Sequence, residues 1–280
     1  MLGAIIGDIV GSRFEFHNHR SKKFNLFTKQ NFYTDDTVCT CAVASALLKL
    51  NRFKKNINNR EEMIAIQELQ NFCRVNTGRG YGGSFYEWIY LDNPGPYGYG
   101  SWGNGGPMRV SPVGWIAKSE EEVKYLSNLI TGITHNHPYA LKAAEVVSMC
   151  VYYLRNGKDK DFVREYVEKE YPVIKTLDYE QLKKIYTFNE RAIGTTPQAI
   201  YCFLISNSFE DCLRTTVSIG GDTDTLCAIS CAVAEAYYGV PEQFKQEILQ
   251  YFTPLQQCLL LKPLNEIAKK SGIDNYIVLQ

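Results

Sequence analysis

The chain has 280 residues, of which 45% are hydrophobic and 21% charged, and equal numbers of basic and acidic side chains give it zero formal net charge. This balance is typical of a globular protein and lacks the basic excess of nucleic-acid-binding proteins, so we expect no nucleic-acid partner. No apolar run approaches the roughly 20 residues of a membrane helix, and the apolar start lacks the basic flank and cleavage site of a signal peptide. We therefore expect a cytoplasmic protein with no membrane association.

The nine cysteines fall mostly within apolar helical patterns, and their spacing does not match that of a zinc site. We interpret them as reduced thiols that behave as small buried hydrophobic side chains. This interpretation agrees with a cytoplasmic location, where thiols stay reduced.

The first predicted element is a buried helix within residues 3–16, where small and apolar residues surround Gly7 and Gly11. Glycines at this spacing let a second helix approach closely. Glu15 ends the segment, and an isolated glutamate is most simply a solvated surface residue. A polar loop at residues 17–33 follows.

The second predicted helix starts at the acidic sequence TDDT (residues 34–37) and continues through apolar and small residues to Leu50. A basic, asparagine-rich connection at residues 51–60 leads to a third helix, with Met63, Ile66, Leu69 and Phe72 at helical spacing. Both helices have a face that could be buried.

Residues 78–106 contain ten glycines and eight aromatic residues, a composition found nowhere else in the chain. We predict an ordered binding loop, in which glycine lets the backbone approach a ligand and the rings stack on it. The expected ligand wall is Tyr97, Tyr99, Trp102 and the turn at residues 103–106. The alternative is an aromatic-rich loop with a structural role only.

Helical patterns continue through most of the remaining chain, with Ser119 and Glu122 as a capping box and Pro138 at the first position of a helix reaching Leu154. His135 and His137 precede that helix, and each alone is most simply a capping or core histidine. Residues 155–190 are charged and predicted to be peripheral. Further helices are expected from Pro197, with Thr196 as cap, over residues 209–219, and from 241 to about 271.

A second acidic sequence, GGDTDT (residues 220–225), precedes an apolar helix that stops at Gly239 and resembles the TDDT helix start. Aspartate and threonine are preferred N-caps, so capping is the simplest explanation of either sequence. Capping needs one oxygen, however, and four buried carboxylates would repel one another unless cations lay among them. Carboxylate and hydroxyl oxygens suit Mg²⁺ or Mn²⁺ better than zinc. We therefore predict a two-metal site between two facing helices.

Five sequences resemble those of one family, the ADP-ribosylglycohydrolases (ADP-ribosyl-acceptor hydrolases). They are, in chain order, GDIVGSRFE (7–15), TDDT (34–37), GNGGPMRV (103–110), TH (134–135) and GGDTDT (220–225). The resemblance covers most of the chain, and five matches in the right order are far more specific than any one of them.

Helical patterns dominate and alternating strand patterns are scarce. We therefore predict an all-α protein, a single domain over residues 1–280 that forms a compact orthogonal helix bundle. The resemblance implies the same ADP-ribosylglycohydrolase-like fold.

The resemblance implies hydrolysis of the glycosidic bond between ADP-ribose and an acceptor, either a protein side chain or a small conjugate. It implies a catalytic role for Glu15 on a mobile segment, with Asp36 or Asp224 positioning water. The expected ligands of two divalent cations, Mg²⁺ or Mn²⁺, are Thr34, Asp35, Asp36, Asp222, Asp224 and Thr225. The expected substrate-binding residues are Tyr99, Trp102, Gly103, Asn104, Gly105, Gly106, Met108 and His135.

Two other functions agree with the same residues. The chain could be a metal-dependent ADP-ribose-binding or structural protein without catalysis, although all six ligand positions and Glu15 are intact. It could also be a two-metal phosphoester hydrolase, but such sites usually include histidine, and neither acidic sequence contains one. The acceptor is not identified by any sequence feature.

Overall fold

The computed structural model describes residues 1–50, 60–274, 276, 277 and 279, so most of the predicted connection at residues 51–60 lies outside it. The described chain is helical and contains no strand. Its one β-type pairing is an isolated antiparallel bridge between Gly103 and Arg191. The all-α prediction is confirmed.

The α-helices are numbered in chain order. They are α1 Leu2–Gly11, α2 Asp35–Leu50, α3 Arg60–Val75, α4 Gly83–Ile89, α5 Ser111–Ile116, α6 Glu120–Gly132, α7 Pro138–Arg155, α8 Lys160–Glu170, α9 Tyr179–Ile185, α10 Ala192–Ile205, α11 Phe209–Ile219, α12 Thr223–Tyr238, α13 Glu242–Glu247, α14 Pro254–Gln256 and α15 Lys262–Lys270. Short 3₁₀ segments cover Ser12–Phe14, Pro172–Thr176 and Ile248–Tyr251, and a π-helical turn covers Gln257–Leu261.

Helix α12 lies at the centre of the bundle and packs against α1, α7, α10 and α11. Its contact with α1 is the closest of these. A Cβ atom on Gly3 or Gly7 would overlap backbone atoms of α12, and one on Gly11 would lie 2.5 Å from the carbonyl oxygen of Thr223. The predicted close approach at Gly7 and Gly11 is therefore present, because these glycines let the two backbones touch.

The helix starts follow local capping rules at several predicted positions. The Ser119 hydroxyl accepts a hydrogen bond from the Glu122 N–H (3.2 Å), as expected for an N-cap. The Glu122 carboxylate accepts from the Lys118 N–H (2.7 Å), one residue before the position of a standard capping box. Pro138 occupies the first turn of α7, as predicted, with His137 as the cap.

The predicted helix start at Pro197 is wrong, because α10 begins at Ala192 and contains Pro197 in its interior. The earlier start has a tertiary cause. The Ala192 N–H donates to the carbonyl of Trp102 (3.0 Å), and the Gly194 N–H donates to Arg191 (2.9 Å). The pairing with the glycine-rich loop thus fixes the first turn before the proline is reached.

All nine cysteines are free, and eight of them are buried, which confirms the expectation of small hydrophobic thiols. Cys258 is the exposed one. Within the described residues, every helix is either too short or too polar to cross a membrane.

Candidate active site

The two acidic helix starts meet in space. The Thr225 hydroxyl, in the first turn of α12, donates a hydrogen bond to Asp36 Oδ2 in the first turn of α2, at 3.3 Å. Asp36, Asp222 and Asp224 are all buried. The convergence predicted from the sequence is therefore present in the structure.

Asp8 holds the two helix starts together, a role that was not predicted from the sequence. Its carboxylate is fully buried in α1 and accepts hydrogen bonds from the N–H groups of Thr34 (2.9 Å) and Thr37 (3.0 Å). It also accepts from both threonine hydroxyls. Because α1 also packs on α12, it fixes the start of α2 beside α12. An aspartate inside a wholly apolar helix was the available sequence signal.

The same contacts argue against capping as the reason for the acidic sequences. Asp8, from another helix, already satisfies free N–H groups at the start of α2. At the start of α12 the N-cap is Asp222, yet its side chain makes no capping hydrogen bond. Its Oδ2 instead accepts from the Asn104 amide at 2.6 Å. Capping of the two helix N-termini therefore does not account for the clustering of these carboxylates.

The gathered carboxylates raise one another's affinity for protons. Carboxylate oxygens of Glu15, Asp222 and Asp224 lie within 4.8 Å of one another. Burial, and then repulsion from neighbouring carboxylates, raises the pKa of Glu15 to about 7 and that of Asp35 to about 8. The same two causes raise the pKa values of Asp36 and Asp224 well above the usual range. The cluster is therefore electrostatically unfavourable without a compensating positive charge.

The donor set fits divalent cations. Asp36 Oδ1 is buried and has no hydrogen-bond partner among the described residues, which is costly unless a cation occupies that direction. The surrounding donors are carboxylate and hydroxyl oxygens, the hard ligands that Mg²⁺ and Mn²⁺ prefer. The side chains already present at the site are therefore suitable ligands for Mg²⁺ or Mn²⁺.

A cavity of about 500 Å³ opens beside the acidic cluster. Most of the residues predicted for metal, substrate or catalysis line it. They are Glu15, Asp35, Asp36, Tyr99, Trp102, Gly103, Asn104, Gly105, Met108, His135, Asp222, Asp224 and Thr225. Three others do not: Gly106 and Tyr97 lie outside the lining, and the Thr34 hydroxyl faces Asp8 and Asp36.

The glycine-rich loop is held by the end of residues 155–190, a segment predicted to be peripheral. The Asn104 N–H donates to the carbonyl of Glu190 (2.8 Å), next to the Gly103–Arg191 bridge. Phe188 and Glu190 line the cavity. The peripheral assignment is therefore wrong for the end of residues 155–190. Backbone pairing placed this segment there, and such pairing leaves no side-chain pattern in the sequence.

His135 packs against the glycine turn. A Cβ on Gly105 would lie 2.8 Å from His135 Nε2, so glycine is needed here for the imidazole as well as for any ligand. The Thr134 hydroxyl lies 2.8 Å from His135 Nδ1 and accepts a hydrogen bond from Arg109 Nη2 (2.6 Å). Burial, and then the Arg109 charge, lowers the pKa of His135 well below its usual value. The imidazole is therefore neutral.

Among the described residues that line the cavity, Arg109 is the only one with a permanent positive charge, and it is fully buried. Its Nε and Nη1 atoms have no hydrogen-bond partner among the described residues. The rings of Phe85 and Tyr99 lie 6.4 and 6.0 Å from the His135 ring. The cavity wall therefore combines an acidic cluster with aromatic rings and the buried guanidinium of Arg109.

The sequence of this chain matches the model of the ADP-ribosylglycohydrolase family over residues 1–271. The chain belongs to this family and is a hydrolase of the ADP-ribosylglycohydrolase type. The resemblance noted from the five sequences is confirmed.

Particular relatives cover nearly the same span. Human ADP-ribosylhydrolase ARH3 is 25% identical over 97% of this chain and 93% of its own length. The ADP-ribosyl-[dinitrogen reductase] glycohydrolase of Rhodospirillum rubrum is 26% identical, with 86% and 85% covered. A solved structure titled "ADP-ribosylglycohydrolase-related protein complex" superposes with a TM-score of 0.69 at 22% identity, covering 96% of this chain and 95% of that one. This structural likeness supports the fold.

Proposed function

We propose that the chain hydrolyses the glycosidic bond between ADP-ribose and an acceptor, with two divalent cations, Mg²⁺ or Mn²⁺, bound at the acidic cluster. The observation that carries the proposal is the meeting of two distant acidic helix starts on one cavity, with a buried carboxylate oxygen left unpartnered. The names of the relatives, which describe hydrolases of ADP-ribosylated substrates, support the same reaction.

The proposed ligands lie at the starts of α2 and α12. They are Thr34, Asp35, Asp36, Asp222, Asp224 and Thr225. Bound cations would supply Lewis acidity, polarising sugar hydroxyls and lowering the pKa of a coordinated water. Asn104 keeps Asp222 oriented through its 2.6 Å hydrogen bond, and Asp8 keeps Thr34 in place.

The remaining roles follow from position in the cavity. Cleavage at an anomeric carbon develops oxocarbenium character, so negative groups near that carbon are favourable. Asp36 or Asp224 orients the attacking water, and Glu15, whose carboxylate lies within 4.8 Å of those of Asp222 and Asp224, acts on the substrate side. Tyr99, Trp102 and His135 bind the base and sugar through ring faces, while glycines 103 and 105 let the backbone approach the phosphates.

The direct test is release of free ADP-ribose from ADP-ribosylated arginine, ADP-ribosylated serine and O-acetyl-ADP-ribose in the presence of Mg²⁺ or Mn²⁺. We expect Asp224→Asn to lower kcat at least about 100-fold, because it removes a negative charge from the cation-binding cluster. The same variant should lose the rise in Tm that Mg²⁺ gives the wild type, since binding to the folded state stabilises it.

Asp161→Asn is the matched control, because Asp161 is exposed on α8 and does not line the cavity. Tight binding of ADP-ribose without release from any substrate would instead identify a binding protein. Normal turnover by Asp224→Asn would overturn the assignment of the metal ligands.

A further inference from the structure

Arg109, Thr134 and His135 form a chain of polar contacts that ends at the cavity. Arg109 Nη2 donates a hydrogen bond to the Thr134 hydroxyl (2.6 Å), and that hydroxyl lies 2.8 Å from His135 Nδ1. All three residues are buried, and His135 lines the cavity. The ligand contacts proposed above include His135 but neither Arg109 nor Thr134.

The arginine decides the direction of these hydrogen bonds. A guanidinium stays protonated and has no acceptor atom, so the Thr134 oxygen must accept from Arg109. The hydroxyl proton then has two candidate acceptors, His135 Nδ1 at 2.8 Å and the Thr131 carbonyl at 3.5 Å. Since the second distance is too long for a good hydrogen bond, the hydroxyl donates to Nδ1, and that nitrogen carries no proton.

The ring proton of His135 consequently lies on Nε2. Burial, and then the Arg109 charge, lowers the pKa of His135, so the imidazole is neutral and has a single N–H. Within the described part of the chain, Nε2 has no hydrogen-bond partner. It lies beside the glycine turn, since a Cβ on Gly105 would be 2.8 Å away and one on Gly103 3.6 Å away. The histidine therefore presents a donor to a ligand at this turn.

We infer that Arg109 and Thr134 are positioning residues that fix the Nε2–H tautomer of His135, so that this N–H donates to a phosphate oxygen of the ADP-ribose unit. This inference rests on the proposed function and adds two residues that act through the imidazole. The other tautomer would turn a lone pair toward the phosphate oxygen, and two acceptors repel each other. The ring face remains available to the sugar, because the N–H lies in the plane of the ring.

The first test observes the tautomer itself. We expect two-bond ¹H–¹⁵N spectra of the wild type, assigned with His135→Gln, to show a protonated Nε2 and an unprotonated Nδ1. Thr134→Val keeps the shape of the side chain but removes the hydroxyl, so both tautomers should be populated. Thr134→Ser, which keeps the hydroxyl, should restore the wild-type spectrum. A wild-type proton on Nδ1, or a spectrum that Thr134→Val leaves unchanged, would overturn the inference.

The second test relates the tautomer to binding. We expect the Kd of ADP-ribose in Thr134→Val to rise in inverse proportion to the fraction of imidazole that keeps Nε2–H, roughly two- to tenfold. ADP should show the same rise and adenosine none, because adenosine has no phosphate. In turnover the loss should appear in KM rather than kcat, since the phosphates do not change in the reaction.

Arg109→Met removes the donor to Thr134, so the hydroxyl oxygen becomes free to accept from Nδ1–H. We expect this variant to change the tautomer and the Kd in the same direction as Thr134→Val. An Arg109→Met protein that folds and keeps the wild-type tautomer would overturn the role of Arg109. A rise in the Kd of ADP-ribose without a rise for ADP would overturn the contact with phosphate.

Thr216→Val is the matched control, because it removes another buried threonine hydroxyl, on α11 and outside the cavity lining. It should leave the tautomer and all three Kd values as in the wild type. An unchanged Kd of ADP-ribose in Thr134→Val, with both tautomers present, would overturn the inference while the proposed function stands. Release of ADP-ribose from none of the substrates would overturn the proposed function itself.

Discussion

The His135 imidazole occupies a place where protonation is unfavourable. It is buried, the Thr134 hydroxyl contacts its Nδ1, and the charged Arg109 lies on the far side of that hydroxyl. Since Thr134 Oγ1 is much closer to Nδ1 (2.8 Å) than to the Thr131 carbonyl (3.5 Å), its proton goes to Nδ1. The ring proton is then on Nε2, which faces the glycine turn.

This environment predicts a pH effect on stability. The pKa of His135 is lowered in the folded chain, so below its unfolded value of about 6.5 the unfolded chain binds the extra proton and folding loses free energy. We expect wild type to lose up to about 1.4 kcal/mol per pH unit there, relative to His135→Gln, in urea unfolding. His17→Gln, at an exposed histidine, should follow wild type; an identical pH dependence in His135→Gln would contradict the prediction.

At Asp36, we expect one substitution to raise stability and to impair cation binding. Its carboxyl group is buried among like charges, which raise its pKa, so folding without divalent cations must either bury a charge or protonate the group, and both cost free energy. Asp36→Asn keeps an oxygen for the Thr225 hydroxyl and removes the charge. We expect this variant to be more stable than wild type in EDTA by about 1 kcal/mol and to gain little from Mg²⁺. A loss of stability in EDTA, measured by thermal melting, would count against it.

At the scale of elements, α1 connects the two halves of the site. The glycines on one side of it touch α12, and Asp8 on the same helix holds the start of α2. The sequence predicted the glycine contact because the glycines lie four residues apart within a single helix. It did not predict the Asp8 contacts, since their partners are 26 and 29 residues away and no periodicity specifies them.

Gly7→Ala tests this helix contact. The new methyl group would overlap the Cys227 carbonyl, so α1 must move away from α12 and carry Asp8 with it. We expect a loss of about 2–3 kcal/mol in the free energy of unfolding, together with reduced activity. Gly83→Ala is the control, because that helical glycine has open space around its Cβ position; its stability should be unchanged or slightly raised. Equal stability of the two variants would contradict the prediction.

For the whole molecule, one large cluster of buried side chains extends from Met1 to Ile277 through nearly every helix. A shared core favours cooperative unfolding. We therefore expect far-UV circular dichroism and tryptophan fluorescence to report one coincident thermal transition, in line with a single domain over residues 1–280. Two separated transitions would show that the chain divides into independent units.

The sequence predicted the helical fold, the meeting of the two acidic helix starts and most of the cavity lining. These predictions succeed because helix periodicity is local and because repelling carboxylates need a common partner. It missed Phe188 and Glu190, whose position depends on backbone pairing with the glycine loop, and it placed Pro197 at a helix start for the same reason. Long-range backbone contacts were thus the information that local patterns lacked.

The burial of eight of the nine cysteines leaves the folded chain with one accessible thiol. Burial raises the pKa of the Cys39 and Cys227 thiols well above the usual range, whereas Cys258 alone is exposed. A maleimide should therefore attach once per native molecule and nine times per denatured one. The stoichiometry of alkylation would then measure the fraction of intact protein in any preparation, and a dye at Cys258 would mark it at a single position.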